Sequence, residues 1–187
     1  NVEERWAEVQ PGVVRDELNY HLKEHRLFFG PNTSTSNRCM MGGMVGNNSS
    51  GSTSISYGTT REKLLGLELV TADGVLRAMG DIKSDGVRDI PSAVEDWIKQ
   101  WQDAWRSQNL EAHFPDASIH RRNTGYAIDL IGSDADALLS VMCGSEGTLG
   151  ITTKIRVALD PLPPGHVAVA ALHYDSMDKA MGATPKL

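Results

Sequence analysis

Three observations predict an α+β chain built on an antiparallel or mixed sheet. Leu65, Leu67 and Leu69 alternate with Gly66, Glu68 and Val70, Asp73-Gly74 supplies a tight turn, and Val75 to Met79 reads as the return strand of a hairpin. Ile151, Thr153, Ile155 and Val157 form a second alternating run, which reads as a further strand ending near Leu159. Between them, Val94, Trp97, Ile98, Trp101 and Trp105 recur at i, i+3, i+4, i+7 spacing, the apolar stripe of a helix.

The remaining elements follow in chain order. Trp6, Glu8 and Gln10 alternate with Ala7 and Val9, a strand stopped by Pro11-Gly12. Val14, Leu18 and Leu22 then mark a helix, with Asp16 and Glu17 in its first turn where the dipole favours acid, and His25-Arg26 near its end. Leu27-Phe28-Phe29 is a short buried run. Ser92, with Glu95 three residues on, is the expected N-cap of the tryptophan helix. The three tryptophans read as packing that helix onto the body rather than as a ligand site. Residues 109–122 read as irregular. Ser133 with Asp136 starts a short helix through Leu138, Leu139 and Val141. Pro161-Leu162-Pro163-Pro164 reads as a linker, Val167 to His173 as one more strand, and Asp175 or Ser176 as the cap of a last helix.

Composition narrows the function. With 187 residues, 40% apolar and 22% charged, the chain is long enough for one domain with a real core, or one and a part. A net charge of −6 argues against nucleic acid and against an anionic membrane surface as partners. No apolar run is long enough to span a bilayer, and no signal peptide is expected. Cys39 and Cys143 belong to no Cys-x-x-Cys pair and read as two reduced side chains. His21 and His25 share a helical face without a third ligand nearby, so no metal site is expected.

The most informative stretch runs from Gly30 to Gly51. It is rich in Gly, Ser, Thr and Asn and almost uncharged, yet Gly42-Gly43 lead into Met44 and Val45, which need burial. A buried loop must satisfy its backbone N–H groups, and an anionic ligand lying against glycines does so. A helix starting right after Gly42-Gly43 would add its positive end. Gly144 to Gly150 is a second bend of the same kind. Together the two read as walls of one groove for a dinucleotide. Asn47, Asn48, Ser49 and Ser50 either hydrogen-bond that ligand or brace the loop. Neither bend is a Gly-x-Gly-x-x-Gly nor a Walker loop, and Ser145 lacks a Gly-x-Ser-x-Gly elbow, so a hydrolase is excluded.

Four segments carry a family resemblance: Val9 to Val13; Phe29-Gly30-Pro31 through Gly42-Gly43 to Gly51; Tyr57-Gly58-Thr59-Thr60-Arg61; and Gly144 to Ile151. In that order they resemble the FAD-binding domain of the vanillyl-alcohol-oxidase and p-cresol-methylhydroxylase (PCMH) flavoproteins. The chain is most similar to the D-lactate, glycolate and D-2-hydroxyglutarate dehydrogenase branch of the FAD-linked oxidases. The resemblance implies an α+β fold with a mixed, largely antiparallel sheet flanked by helices, the second subdomain of a PCMH-type domain. It implies FAD as cofactor, held by Pro31, Ser34, Thr35, Ser36, Met40, Gly42, Gly43, Asn47, Asn48 and Ser50 on one wall. Glu146, Gly147, Gly150 and Ile151 would hold the adenine end. Residues 1–160 would form the second part of the FAD-binding domain, with a helical insertion at about 85–125, and 161–187 the linker and the start of a substrate domain.

The family's upstream Arg-Gly-x-Gly-Thr-Ser-like loop would precede Asn1, and the histidines and acidic residue that bind metal and substrate would follow Leu159. The chain alone is therefore expected to be inactive, to bind FAD weakly or not at all, and to self-associate through its glycine-lined face. The whole protein is expected to oxidise a 2-hydroxy acid by hydride transfer to flavin, in the cytoplasm or at the periphery of the inner membrane. The catalytic base stays unassigned, with Tyr126 and Asn123 as outlying candidates. Two other readings keep the fold: a non-catalytic flavin-carrying or interaction subunit, and a flavin reductase of the enolpyruvyl-reductase type.

Overall fold

The computed structural model describes residues 1–88, 91–116, 118–119, 125–132 and 137–186. Its frame is a four-stranded antiparallel sheet in the order β1-β5-β3-β4, where β1 is Trp6–Val9, β3 Leu64–Val70, β4 Leu76–Gly80 and β5 Ile151–Ala158. The hairpin β3–β4 turns at Asp73-Gly74 as the sequence predicts, pairing Val70 with Leu76 and Gly66 with Gly80. Strand β5 arrives from more than eighty residues away and inserts between β1 and β3. It pairs Trp6 with Ala158 on one side and Leu67 with Ile155 on the other. An isolated bridge between Arg77 and Val87 is the parallel contact.

The two faces of this sheet differ, as period-two side-chain alternation requires. Leu67, Leu69, Ile155 and Val157 are buried on one face, beneath helix α1 (Arg15–Leu22) and helix α2 (Met41–Asn47). Leu18 and Leu22 of α1 and Met41, Met44 and Val45 of α2 close that core. The other face is charged. Arg156 forms ion pairs at 2.7 Å with both Glu8 and Asp81 and lies 4.0 Å from the Trp6 ring. Glu68 is held below the usual carboxylate range first by the Ser84 hydroxyl, then by Thr153 and Lys154, against the opposing effect of burial.

A second small sheet joins β2 (Leu27–Phe28) to β6 (Asp160–Pro161). The first residue expected in the linker is therefore part of a ladder, and Leu162 N–H adds a bond to Arg26 O at 2.9 Å. Two short helices, α3 (Ser54–Tyr57) and α4 (Thr60–Lys63), lead into β3. A capping box of Thr59 and Glu62 starts α4. Lys63 reaches Asp160 at 2.7 Å and ties the small sheet to the main one.

Helix α5 (Ser92–Ser107) carries the tryptophan stripe. It is not capped by Ser92. Pro91 is the N-cap, and its carbonyl accepts the N–H groups of Val94 and Glu95 at 2.8 and 3.1 Å. Proline ahead of the first turn has its φ already fixed, so the serine becomes the first helical residue. Trp101 donates its indole N–H to Ile128 O at 2.8 Å and packs with Ile98 on a second core of Ile131 and Val141. This is the packing role expected of the stripe. Helix α6 (Ala137–Met142) follows the predicted course, while Ser133 and Asp136, its expected start, lie outside the described residues.

The expected strand Val167 to His173 does not form. Val167, Val169 and Leu172 are exposed, and no strand lies beside them to complete a ladder. β-Branched residues favour a strand only where a neighbour pairs with it. Helix α7 (Met177–Ala183) then forms with Ser176 as its N-cap, as expected, the hydroxyl accepting from Lys179 N–H at 3.3 Å.

Candidate functional site

Helix α2 sets the site. It starts at Met41, one residue before the glycine pair rather than after it. The reason is local. Met41 N–H donates to Val13 O and Gly42 N–H to Pro11 O, both at 2.9 Å, so the turn after β1 acts as the N-terminal acceptor of the helix. A Cβ on Gly42 would stand 2.6 Å from the Pro11 Cβ, so glycine is what lets the two segments meet. The consequence corrects the sequence expectation. These leading N–H groups are already bonded inside the protein and are not free for an anion.

The other end of α2 meets the second glycine-rich bend. Gly144 N–H donates to Val45 O at 2.9 Å, and Glu146 N–H donates to Gly46 O at 2.8 Å. Asn47 Nδ2 donates to Glu146 Oε1 at 2.9 Å. Gly144, Glu146 and Gly147 all have positive φ, which turns the chain sharply back along the helix. Arg61 fastens the same bend from behind, donating to Ser140 O at 3.0 Å and to Cys143 O at 2.6 Å. Asn48 Oδ1 accepts Arg61 N–H at 2.9 Å, and Thr60 Oγ1 donates to Ser49 O at 2.7 Å. Within Tyr57 to Arg61, Thr60 and Arg61 thus brace the two bends against each other.

The two bends therefore border one cleft of about 660 Å³. Its walls include Met40, Gly42, Gly43, Gly147, Gly150 and Ile151, all expected from the sequence. Gly43 and Gly147, together with Gly12, would each direct a Cβ into empty space, so the cleft is faced with bare backbone. Gly150 differs, because a Cβ there would strike the Leu69 side chain.

The other expected residues stand off this wall. Pro31 is buried and its carbonyl accepts from Arg15 Nε at 3.1 Å. Ser36 Oγ donates to Asp16 Oδ2 at 2.9 Å, and Thr35 O receives the N–H groups of Arg38 and Cys39 at 2.9 Å. Ser34 is exposed. Asn47 and Glu146 bond each other, and Asn48 braces the loop as described. Ser50 Oγ is a buried hydroxyl without a hydrogen-bond partner. Tyr126 Oη lies 2.6 Å from Thr148 Oγ1, and Asn123 falls outside the described residues.

Pro11, Gly12, Leu67, Leu69 and Met142 line the cleft without having been expected there, while Arg38 lines it as part of the stretch from Pro31 to Met40 that the resemblance assigns to the flavin. The sequence did hold a signal for Arg38, the one charged residue in the run from Gly30 to Gly51. Among the described residues no three His, Cys, Asp or Glu side chains stand together as a metal centre would require. No helix there is long and apolar enough to cross a membrane.

Residues 1–80 match the family described as "FAD binding domain". The chain is 36% identical to a D-2-hydroxyglutarate dehydrogenase of Pseudomonas putida, over 95% of the chain and 18% of that protein. It is 31% identical to the D-2-hydroxyglutarate dehydrogenase of Escherichia coli K12, over 99% and 19%. It is 30% identical to the glycolate oxidase subunit GlcD of the same strain, over 94% and 26%. The chain thus spans about a fifth to a quarter of the length of these relatives. A solved structure of alkyldihydroxyacetonephosphate synthase shares the fold with a TM-score of 0.52 and 19% identity, over 87% of this chain and 21% of that one. Through residues 1–80 the chain matches the FAD binding domain family, and over nearly its whole length it is similar to D-2-hydroxyglutarate dehydrogenases and to a glycolate oxidase subunit.

Proposed function

We propose that the cleft between α2 and the Gly144–Gly150 bend holds FAD, and that the intact protein oxidises a 2-hydroxy acid of the D-2-hydroxyglutarate, glycolate or D-lactate type. The observation that carries this is the backbone facing of the cleft by Gly12, Gly43 and Gly147. A diphosphate needs close approach to the main chain, and side-chain bulk at any of these positions would deny it. Leu67, Leu69, Met142 and Ile151 supply apolar wall for a flat ring beside that surface. When bound, the flavin supplies the hydride acceptor.

The described residues that line the cleft bind and orient rather than exchange protons. Among the described residues that line the cleft there is no carboxylate or imidazole, so the acceptor of the hydroxyl proton comes from elsewhere in the protein. We assign residues 1–160 to the FAD-binding domain, with residues of about 85–125 as a helical insertion built around α5, and 161–187 to the start of a substrate domain. The exposed Val167, Val169 and Leu172 support the last of these, because they offer apolar surface for a further part of the protein.

The test is flavin content and substrate bleaching in the intact protein. Stoichiometric FAD, with its visible absorbance bleached by one of the three hydroxy acids, is the expected result. An intact, folded protein that carries no FAD and takes none up would overturn the reading.

A further inference from the structure

The cleft raises a question of charge. A nucleotide diphosphate brings two negative charges into a protein whose own net charge is −6, and something at the site must offset them. The helix end offers only its Gly43 N–H. Helix α2 has seven residues, and its Met41 and Gly42 N–H groups already donate to Val13 and Pro11. Other cations of the neighbourhood are engaged in the architecture. Arg15 donates to the carbonyls of Phe29 and Pro31 and pairs with Asp16, while Arg61 holds the carbonyls of Ser140 and Cys143.

Arg38 differs from both. It is the one charged side chain among the described residues lining the cleft. It is exposed, and among the described residues its guanidinium makes no hydrogen bond and no ion pair. Its backbone is nevertheless fixed, with Arg38 N–H and Cys39 N–H both bonded to Thr35 O at 2.9 Å. Cys39 O in turn accepts Arg15 N–H at 3.0 Å. An anchored backbone with an unengaged guanidinium beside the glycine wall is a cation positioned for a ligand.

From this the geometry points to Arg38 as the residue that neutralises the diphosphate of the bound dinucleotide. The inference rests on the FAD reading above and adds to it the source of the counter-charge. It also gives the cleft a direction. Arg38, Gly12 and Gly43 would hold the diphosphate, and Leu69, Met142 and Ile151 would flank a ring system.

The experiment titrates FAD, and separately riboflavin, into the intact protein stripped of flavin, for wild type and for Arg38→Ala and Arg38→Lys. Charge-assisted hydrogen bonds predict that Arg38→Ala weakens FAD binding by roughly 10- to 100-fold, with riboflavin affinity unchanged. The lysine variant, which keeps the charge and loses the bidentate geometry, should recover part of the loss. The fall in FAD affinity with added salt should be shallower in the alanine variant. Thermal melts of the flavin-free proteins should coincide, since the side chain has no partner to lose. Equal FAD affinity in wild type and Arg38→Ala would overturn this inference and leave the FAD reading intact. The same holds for a variant that keeps FAD but loses hydroxy-acid affinity, which would assign Arg38 to a substrate carboxylate. A wild-type protein that takes up no FAD would overturn both.

Discussion

At the scale of single residues, the two cysteines show how burial fixes reactivity. Cys143 is fully buried at the end of α6, and burial pushes its thiol up to about 12 against the smaller, opposing effect of Arg61. Thiolate is the reactive species, so this side chain is inert at neutral and mildly alkaline pH while the fold persists. Alkylation at pH 8 followed by peptide mapping should find Cys143 unmodified in the native protein and fully modified in denaturant. Native labelling at Cys143 would mean that the bend it precedes opens readily. The sequence held both cysteines outside any pair, but not which one the core encloses. That depends on Arg61 and Asn48, more than eighty positions away, closing over it. Glu68 was equally illegible. It looks like the polar member of an alternating strand, yet it is buried among Ser84, Thr153 and Lys154.

At the scale of elements, adjacent glycines of α2 do different work. Gly42 is pressed on Pro11, so a methyl group there would collide with side chain and backbone. Gly43 faces the open cleft. Gly42→Ala should therefore cost about 1–3 kcal/mol of stability by overpacking. Gly43→Ala should raise stability by about 0.5–1 kcal/mol, the usual gain for alanine inside a helix, while narrowing the cleft. Thermal melts paired with FAD titration of the intact protein check both at once. The expected result is a lower Tm for Gly42→Ala, and for Gly43→Ala an unchanged or higher Tm with FAD affinity reduced by roughly tenfold or more. A Gly43→Ala protein that binds FAD normally would place the ligand elsewhere. The pair also marks how far the sequence could be read. The hairpin, the tryptophan stripe, β5 and the two glycine-rich bends follow local pattern, and local pattern is what a sequence displays. The start of α2 depends on carbonyls of Pro11 and Val13 thirty residues earlier, and no local signal carries that. The cap of α5 shows the opposite difficulty, where a good local signal at Ser92 was outcompeted by the proline beside it.

At the scale of the whole molecule, stability is unevenly distributed along the chain, and the C-terminal part shows it best. Among the described residues the last long-range backbone tie is Leu162 N–H to Arg26 O. Beyond it Val167, Val169, Leu172, Met177 and Met181 are all exposed, and Ser176 caps a helix whose apolar side chains meet mostly solvent. Residues just before it are different. Asp160 and Pro161 pair with Phe28 and Leu27, and the Asp160 carboxylate holds Lys63 in a half-enclosed ion pair. Ending the chain after Leu162 should therefore leave the Tm essentially where it is. Ending it after Leu159 removes the small sheet and the partner of Lys63. A charge-assisted bond of that kind contributes about 2 kcal/mol, which corresponds to a drop of roughly 4–8 °C for a chain of this size. Melting curves of the two truncated chains beside the parent decide the matter. If the chain ending after Leu162 melts as low as the one ending after Leu159, residues beyond Leu162 are packed against the body. The exposed valines would then owe their exposure to something other than the absence of a partner strand.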